Sequence, residues 1–158
     1  MARRVFFSFH YKRDSWRVSQ IRNSTILAGE NTSSFLDGAD WEEVKKKGDA
    51  GIQRWINDNM SNCSVVAVLI GKETAGRRWV KYEVKKAIAD GRGLLGISLS
   101  GMKNQDGDTD AEGASPFAGL TDKNGVALKF PIYSWINNKG RDNIGAWMEA
   151  AAKKAGYT

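Results

Sequence analysis

The chain has 158 residues, and 41% of them are hydrophobic, which provides enough apolar side chains for one folded core and excludes wholesale disorder. The single cysteine, Cys63, excludes an intramolecular disulfide, and one histidine with one cysteine cannot supply the protein ligands of a zinc site. The net charge of +6 suits an anionic ligand, but no basic run reaches the roughly five to eight residues of a nucleic-acid patch.

The first part of the chain predicts a strand, a helix, a weak strand, a charged loop and a second helix. These elements are expected over residues 4–9, 16–27, 33–37, 38–48 and 49–60. Asp49 is expected to cap the second helix, because the apolar positions that follow it recur at helical spacing. Those positions are Ile52, Trp55, Ile56 and Met60.

The second part of the chain continues the alternation of strands and helices. Val65–Ile70 is the clearest strand, and its continuous apolar run predicts burial on both faces. Pro131 removes a backbone donor, so the last strand should lie at a sheet edge. The other predicted elements are a helix over 79–89 that ends at Gly91, a strand over 94–99, a polar loop over 100–124, the edge strand over 129–133 and a helix over 141–155.

This alternation predicts a single α/β domain over residues 1–158, with a mainly parallel sheet and helices on both faces. Five strands without a repeat suggest the flavodoxin-like order 2-1-3-4-5. In that order a ligand crevice opens beyond the carboxyl ends of strands 1 and 3. Phe9, His10 and Tyr11 follow strand 1, and the segment after strand 3 leads to Trp79 and Glu83. We therefore expect these five residues to share one site.

Glu83 is the candidate reactive group at this crevice. Helical residues four apart lie on the same side, so Trp79 should place an indole beside the Glu83 carboxylate. On a helical wheel Glu83 falls at the edge of the apolar stripe around Val80, where a carboxylate is partly desolvated and can still face a cleft. The spacing alone also permits a solvated glutamate that the helix macrodipole stabilises.

The chain contains no pattern of a membrane protein. No apolar run approaches the roughly 18 residues that cross a bilayer. The apolar stretch of residues 5–7 is too short for a signal sequence, because Ser8 and His10 follow it. We expect a soluble, cytoplasmic protein without a nucleic-acid or membrane partner.

Three segments together resemble the TIR-like domains of bacterial Thoeris anti-phage systems, the ThsB proteins. They are residues 4–10, 65–71 and 77–83. The Trp-Val-x-x-Glu spacing of the third segment is also similar to NAD-consuming TIR domains more widely. The likeness covers roughly the first hundred residues, and the loop over 100–124 does not align with classical TIR elements.

The resemblance implies a flavodoxin-like fold and cleavage of the bond between nicotinamide and ribose in NAD+, which is the substrate rather than a cofactor. It implies that Glu83 is catalytic and that a cyclic ADP-ribose isomer activates a separate effector protein. Self-assembly is a further expected interaction, and no metal is implied. The resemblance assigns substrate contacts to the first loop, to the mobile BB loop at about residues 38–46, and to the tryptophan near the acid. The residues concerned are Ser8, Phe9, His10, Tyr11, Asp40, Trp41 and Trp79.

A single acid is compatible with this chemistry. Ordinary glycosidases use two carboxylates because the leaving oxygen needs a proton. Nicotinamide leaves as a neutral base, so one carboxylate that stabilises the developing positive charge can suffice. At roughly 4 Å and an effective dielectric near 20, that attraction is about 4 kcal/mol.

The leading prediction is an NAD+ nucleosidase and cyclase. Two other functions remain open on the sequence alone. The same fold could be a non-catalytic signalling module that acts by assembly, with Glu83 as a surface acid. It could also be a sensor that binds NAD+ or its products without consuming them.

Overall fold

The computed structural model describes residues 3–22 and 43–158. Within them strands and helices alternate along the chain, as the sequence predicts. The strands are β1 (Val5–Ser8), β2 (Val65–Ile70), β3 (Gly93–Ser98) and β4 (Ile132–Ser134). The helices are α1 (Tyr11–Arg22), α2 (Gly48–Met60), α3 (Arg78–Ala89) and α4 (Gly140–Lys154), and a short 3-10 turn (Thr74–Gly76) precedes α3.

The four strands form one parallel sheet in the order β1-β2-β3-β4. The parallel α/β architecture is therefore confirmed, and it fits a flavodoxin-like fold. The predicted strand over residues 33–37 lies outside the described residues, so the five-strand order stays a prediction. Because all four strands run in one direction, their carboxyl ends meet at one edge of the sheet, which is where such folds place their ligands.

Successive residues of each strand pack on opposite faces of the sheet. Phe7 faces a core formed with α1 and α4, whereas Phe6 faces a second core formed with α2 and α3. All six residues of β2 are buried, because helices cover both faces. This burial explains the absence of alternation in that strand. Cys63 is buried and free.

Helix α1 begins at Tyr11 rather than at Trp16, so the predicted start is wrong. Its buried face includes Asp14 and Arg17, whose side chains pair at 3.2 Å. The first turn is mostly charged, so apolar spacing alone does not indicate it. Trp16 itself is 54% exposed.

Two further boundaries differ from the sequence analysis. Asp49 is not a cap, because Lys47 occupies the N-cap of α2 and Gly48, at φ 73°, already makes the turn into the helix. Asp49 instead pairs with Arg78 at 2.7 Å. Strand β4 lies at the sheet edge as predicted, but it begins at Ile132, immediately after Pro131.

The polar segment over residues 100–124 is largely irregular and is fixed to α1 by side chains. Arg17 donates to the carbonyl oxygens of Met102 and Asp108 at 2.9 and 3.1 Å. Beside this contact, a Cβ atom at Gly71 would lie 2.1 Å from Asp14 Oδ2, so only glycine fits there. No helix within residues 3–22 or 43–158 is long and apolar enough to cross a membrane.

Candidate active site

The site is built where β1 ends and α3 begins. Ser8 is the last residue of β1, and its hydroxyl donates a hydrogen bond of 2.6 Å to Oε1 of Glu83. Both residues are buried, Ser8 fully and Glu83 to 2% exposure. This contact joins the first strand to the helix that follows β2, at the carboxyl edge of the sheet.

Glu83 is more deeply buried than the edge of an apolar stripe suggests. It shares the buried face of α3 with Val80, Val84 and Ala87. Burial raises the pKa of Glu83 to about 8, and the hydrogen bond from Ser8 acts in the opposite direction. At neutral pH most molecules therefore carry a protonated Glu83.

A cavity of about 530 Å³ opens beside this acid. Its volume lies within the range of small-molecule sites, roughly 300–1,000 Å³. Helices α1, α2 and α3 all contribute to the wall, together with the loop before α1 and the turn before α3. Among the described residues, the lining consists of Phe9, His10, Tyr11, Lys12, Lys45, Gly48, Asp49, Ile52, Gly76, Arg77, Arg78, Trp79, Val80 and Glu83.

The cavity brings together most of the residues that the sequence analysis selected. Phe9, His10, Tyr11, Trp79 and Glu83 all line it. Ser8 is fully buried and contacts the site through its hydrogen bond to Glu83. Asp40 and Trp41, the two selected residues of the BB loop, lie outside the described residues.

Aromatic rings form part of the wall. The rings of Phe9 and Tyr11 lie 4.3 Å apart between centroids, and burial raises the pKa of Tyr11 well above its usual value, with a smaller effect from the charge of Glu83. The ring of Trp79 packs edge-on against Tyr82 at 5.6 Å, and the guanidinium of Arg78 lies 4.7 Å from its centroid. Trp79 and Glu83 thus share the cavity, but Trp79 packs against Tyr82 and Arg78 whereas Glu83 is bonded to Ser8.

His10 provides a neutral polar group. Burial lowers its pKa, and the charge of Arg77 lowers it further. Its Nδ1 accepts a long hydrogen bond of 3.4 Å from the backbone N–H of Arg13. At neutral pH His10 is therefore an uncharged imidazole in the wall.

The family of the chain follows from comparison with known proteins. The family model described as the TIR-like domain of Thoeris protein ThsB matches residues 6–104. The chain belongs to the ThsB TIR-like family. It is also 36% identical over 142 residues to a protein of Bacillus cereus (strain MSX-D12) named "Putative cyclic ADP-D-ribose synthase ThsB1". The match covers 88% of this chain and 74% of that relative.

Four basic residues of this ThsB TIR-like domain line the cavity, and the sequence analysis did not select them. They are Lys12, Lys45, Arg77 and Arg78. Arg78 is paired with Asp49, which also lines the cavity. The consecutive Arg77 and Arg78 were visible in the sequence, but only the fold places them beside Lys12 and Lys45. Among the wall residues that the structure describes, these four positive charges outnumber the acids Asp49 and Glu83, even when Glu83 is ionised.

A second cavity of about 670 Å³ lies at the opposite end of the sheet of this ThsB TIR-like domain. It is formed by the start of β3 and the end of α4, and Phe130 and Tyr133 contribute to its wall. No acidic side chain lines it among the described residues. The smaller cavity therefore has the better chemistry for a reaction, because it contains the buried acid.

Proposed function

We propose that this ThsB TIR-like domain binds NAD+ in the cavity at Glu83, breaks the bond between nicotinamide and ribose, and closes the remainder into a cyclic ADP-ribose-type signal. The observation that carries the proposal is the buried Glu83, held by Ser8, in a cavity with aromatic and basic walls. The name of the Bacillus cereus relative, a cyclic ADP-D-ribose synthase, supports the choice of substrate and product.

Glu83 is the group that stabilises the charge of the reacting sugar. As the bond to nicotinamide breaks, positive charge develops at the anomeric carbon. A carboxylate at roughly 4 Å attracts that charge by about 4 kcal/mol at an effective dielectric near 20. Ionising an acid with a pKa of about 8 at pH 7 costs about 1.4 kcal/mol. The cationic substrate can therefore compensate for the ionisation that burial disfavours.

The remaining walls of the cavity suit the other parts of a dinucleotide. Phe9, Tyr11 and Trp79 offer apolar ring surface to the flat heterocycles. Lys12 and Arg77 offer positive charge to the diphosphate. NAD+ is the substrate in this proposal, and the reaction needs no further cofactor or metal.

Exclusion of water decides which product forms. The cation can be captured by a nucleophilic atom elsewhere in the same molecule, which gives a ring, or by water, which gives linear ADP-ribose. A closed wall around the anomeric carbon favours the ring. The cyclic product would then diffuse to a separate effector protein in antiviral defence.

Non-catalytic assembly is the second candidate function, and one observation favours it. Large apolar side chains are exposed on and beside the edge strand β4, where another copy of the chain could pack. They are Ile132 in β4 and Ile136 shortly after it, with exposures of 40% and 51%. Self-assembly is also compatible with the enzymatic function.

Incubation with NAD+ tests the proposal. Chromatography should show release of nicotinamide, and mass spectrometry should show a cyclic product with the mass of NAD+ minus nicotinamide. Retention of intact NAD+ in calorimetry without any release would indicate a sensor. Concentration-dependent oligomers without nicotinamide release would favour the assembly module.

A further inference from the structure

A cluster of five charged residues lies next to the candidate site without lining the cavity. Asp110, in the segment over residues 100–124, contacts Arg13 at 2.7 Å and Arg17 at 3.0 Å. Arg17 also contacts Asp14 at 3.2 Å, and Arg13 contacts Glu73 at 3.3 Å. The cluster therefore connects α1, the turn before α3 and the long polar segment, and we refer to it as the clamp.

The clamp is attached directly to the wall of the cavity. Arg13 lies in the first turn of α1, which begins with Tyr11, and its backbone N–H contacts the ring of His10. On the opposite side, Glu73 lies in the turn that leads to Arg77, another cavity residue. A movement of the clamp would therefore be transmitted to residues 9–11 and to the segment that precedes α3.

Burial makes the Arg17 part of the clamp different from an ordinary surface ion pair. The side chain of Arg17 is 3% exposed, that of Asp14 is fully buried and that of Asp110 is 18% exposed, whereas Arg13 and Glu73 are 29% and 56% exposed. Arg78 and Asp49, by contrast, pair with both side chains more than half exposed. Removing one member of a buried cluster leaves its partners without compensation, whereas an exposed pair is replaced by water. The clamp is thus expected to fix the geometry of the wall.

We propose that Asp110 is a positioning residue which, through Arg13 and Arg17, keeps the wall of residues 9–11 closed against water and so sets the ratio of cyclic to linear product. This inference rests on the proposed function, because it presupposes that the cavity cleaves NAD+. Asp110 does not touch the substrate in this proposal. It acts only through the two arginines of α1.

Both products arise from one bond cleavage. The bond between the ribose carbon and the nicotinamide nitrogen breaks, and its electron pair leaves with nicotinamide. In cyclisation a nucleophilic atom of the same molecule forms the new bond to that carbon and releases a proton. In hydrolysis water forms the new bond and releases a proton, which gives linear ADP-ribose.

The test measures the ratio of the two products in wild type and in Asp110→Asn. The substitution keeps the shape of the side chain but removes the charge that holds both arginines. We expect the linear share to rise several-fold, on the order of tenfold for a shift of about 1.4 kcal/mol between the competing steps. Asp110→Glu keeps the charge and should largely restore the cyclic share. The ratio is independent of the amount of folded enzyme, so a loss of stability alone leaves it unchanged.

Two control variants distinguish an effect of the clamp on the product ratio from the effect of removing any other structural carboxylate. Asp122→Asn alters a turn in the same long segment, where the carboxylate accepts hydrogen bonds from the backbone of Asn124 and Val126. Glu149→Gln removes a remote ion pair with Arg3. Both should keep the product ratio of wild type.

The outcomes distinguish this inference from the function on which it rests. Nicotinamide release with an unchanged ratio in Asp110→Asn would overturn the clamp and leave the proposed function intact. Absence of nicotinamide release from wild type would overturn both. If circular dichroism shows that Asp110→Asn does not fold, Arg13→Gln provides the same comparison from the more exposed side of the clamp, and an unchanged ratio there would overturn the inference.

Discussion

Two effects act in opposite directions on the pKa of Glu83, and desolvation is the larger one. Burial raises its pKa, while the hydrogen bond from Ser8 stabilises the charged form. A raised pKa of a carboxyl group means that the folded state holds a proton which the unfolded state has already released. The contribution of Glu83 to stability is therefore greatest below the unfolded pKa and decreases as pH rises toward about 8.

The first prediction concerns this pH dependence. Between about pH 4.5 and pH 8, Glu83 should lower the free energy of unfolding by up to about 1.4 kcal/mol per pH unit. Glu83→Gln cannot ionise, so the variant should lose this slope and be more stable than wild type near pH 8. Urea denaturation across this pH range measures the effect, and parallel curves for the two proteins would contradict it.

The second prediction concerns the hydrogen bond from Ser8. Ser8→Ala removes a hydrogen bond that stabilises the ionised carboxylate more than the protonated acid, by roughly 1.4 kcal/mol, and should raise the pKa of Glu83 further. Because the proposed reaction uses the carboxylate, the rise of nicotinamide release with pH should move upward by about one pH unit.

Ser98→Ala is the matched control for this substitution. Ser98 is also a buried serine at the end of a strand, and its hydroxyl oxygen accepts a hydrogen bond from the backbone N–H of Ser100. Its pH profile should match that of wild type. The same upward shift in both variants would show that the Ser8 bond is not the cause.

At the residue scale the sequence selected the candidate acid but did not predict how it is held. The spacing of Trp79 and Glu83 and the position after the third predicted strand were sufficient to select Glu83. The hydrogen bond to Ser8 joins residues 75 positions apart. No local pattern contains such a contact, so the full burial of Glu83 could be found only from the fold.

Helix α1 has charged residues on its buried face, and they affect where the sequence predicts the helix to begin. Its inward positions carry Asp14 and Arg17 beside the apolar Val18 and Ile21. The charged residues are tolerated there because they pair with each other and with the long polar segment. An analysis of apolar spacing therefore places the start of the helix too late.

The third prediction concerns Arg17 and the stability of this packing. Arg17→Met keeps most of the apolar stem of the side chain but removes the guanidinium that pairs with both Asp14 and Asp110. We expect the free energy of unfolding to fall by about 3–5 kcal/mol, the usual effect of breaking a buried ion pair. Urea denaturation at neutral pH measures the loss.

Lys46→Met is the control for a surface ion pair. Lys46 and Glu43 contact each other at 3.2 Å, with both side chains more than 70% exposed. The change should stay within about 1 kcal/mol. A loss of similar size in the two variants would contradict the structural role of the buried pair.

At the scale of elements, the sequence predicted those helices and strands that have a clear apolar pattern of their own. The apolar run of β2 and the amphipathic pattern of α3 fixed these elements to within one residue. The segment over 100–124 has no comparable periodicity. Its arrangement depends on arginines that precede it by many residues, so the sequence predicted only that it is a polar loop.

For the whole molecule, the order of elements was enough to locate the candidate site. Parallel strands with alternating helices place a crevice at the carboxyl edge of the sheet. The structure places the cavity of Glu83 there, and the family comparison confirms the ThsB TIR-like assignment. The composition indicated only a net charge of +6, whereas the fold gathers Lys12, Lys45, Arg77 and Arg78 around one cavity.

The most direct test of the account is the rate of nicotinamide release from NAD+ by wild type, Glu83→Gln and Glu112→Gln, measured side by side. Glu112 is an exposed acid outside the cavity, so its variant controls for the loss of one carboxylate. We predict that at pH 7 Glu83→Gln lowers the rate by about a hundredfold, because about 2.6 kcal/mol of the attraction of about 4 kcal/mol remains after the cost of ionising the acid, while Glu112→Gln keeps the rate of wild type. An unchanged rate in Glu83→Gln would contradict the role of the buried acid.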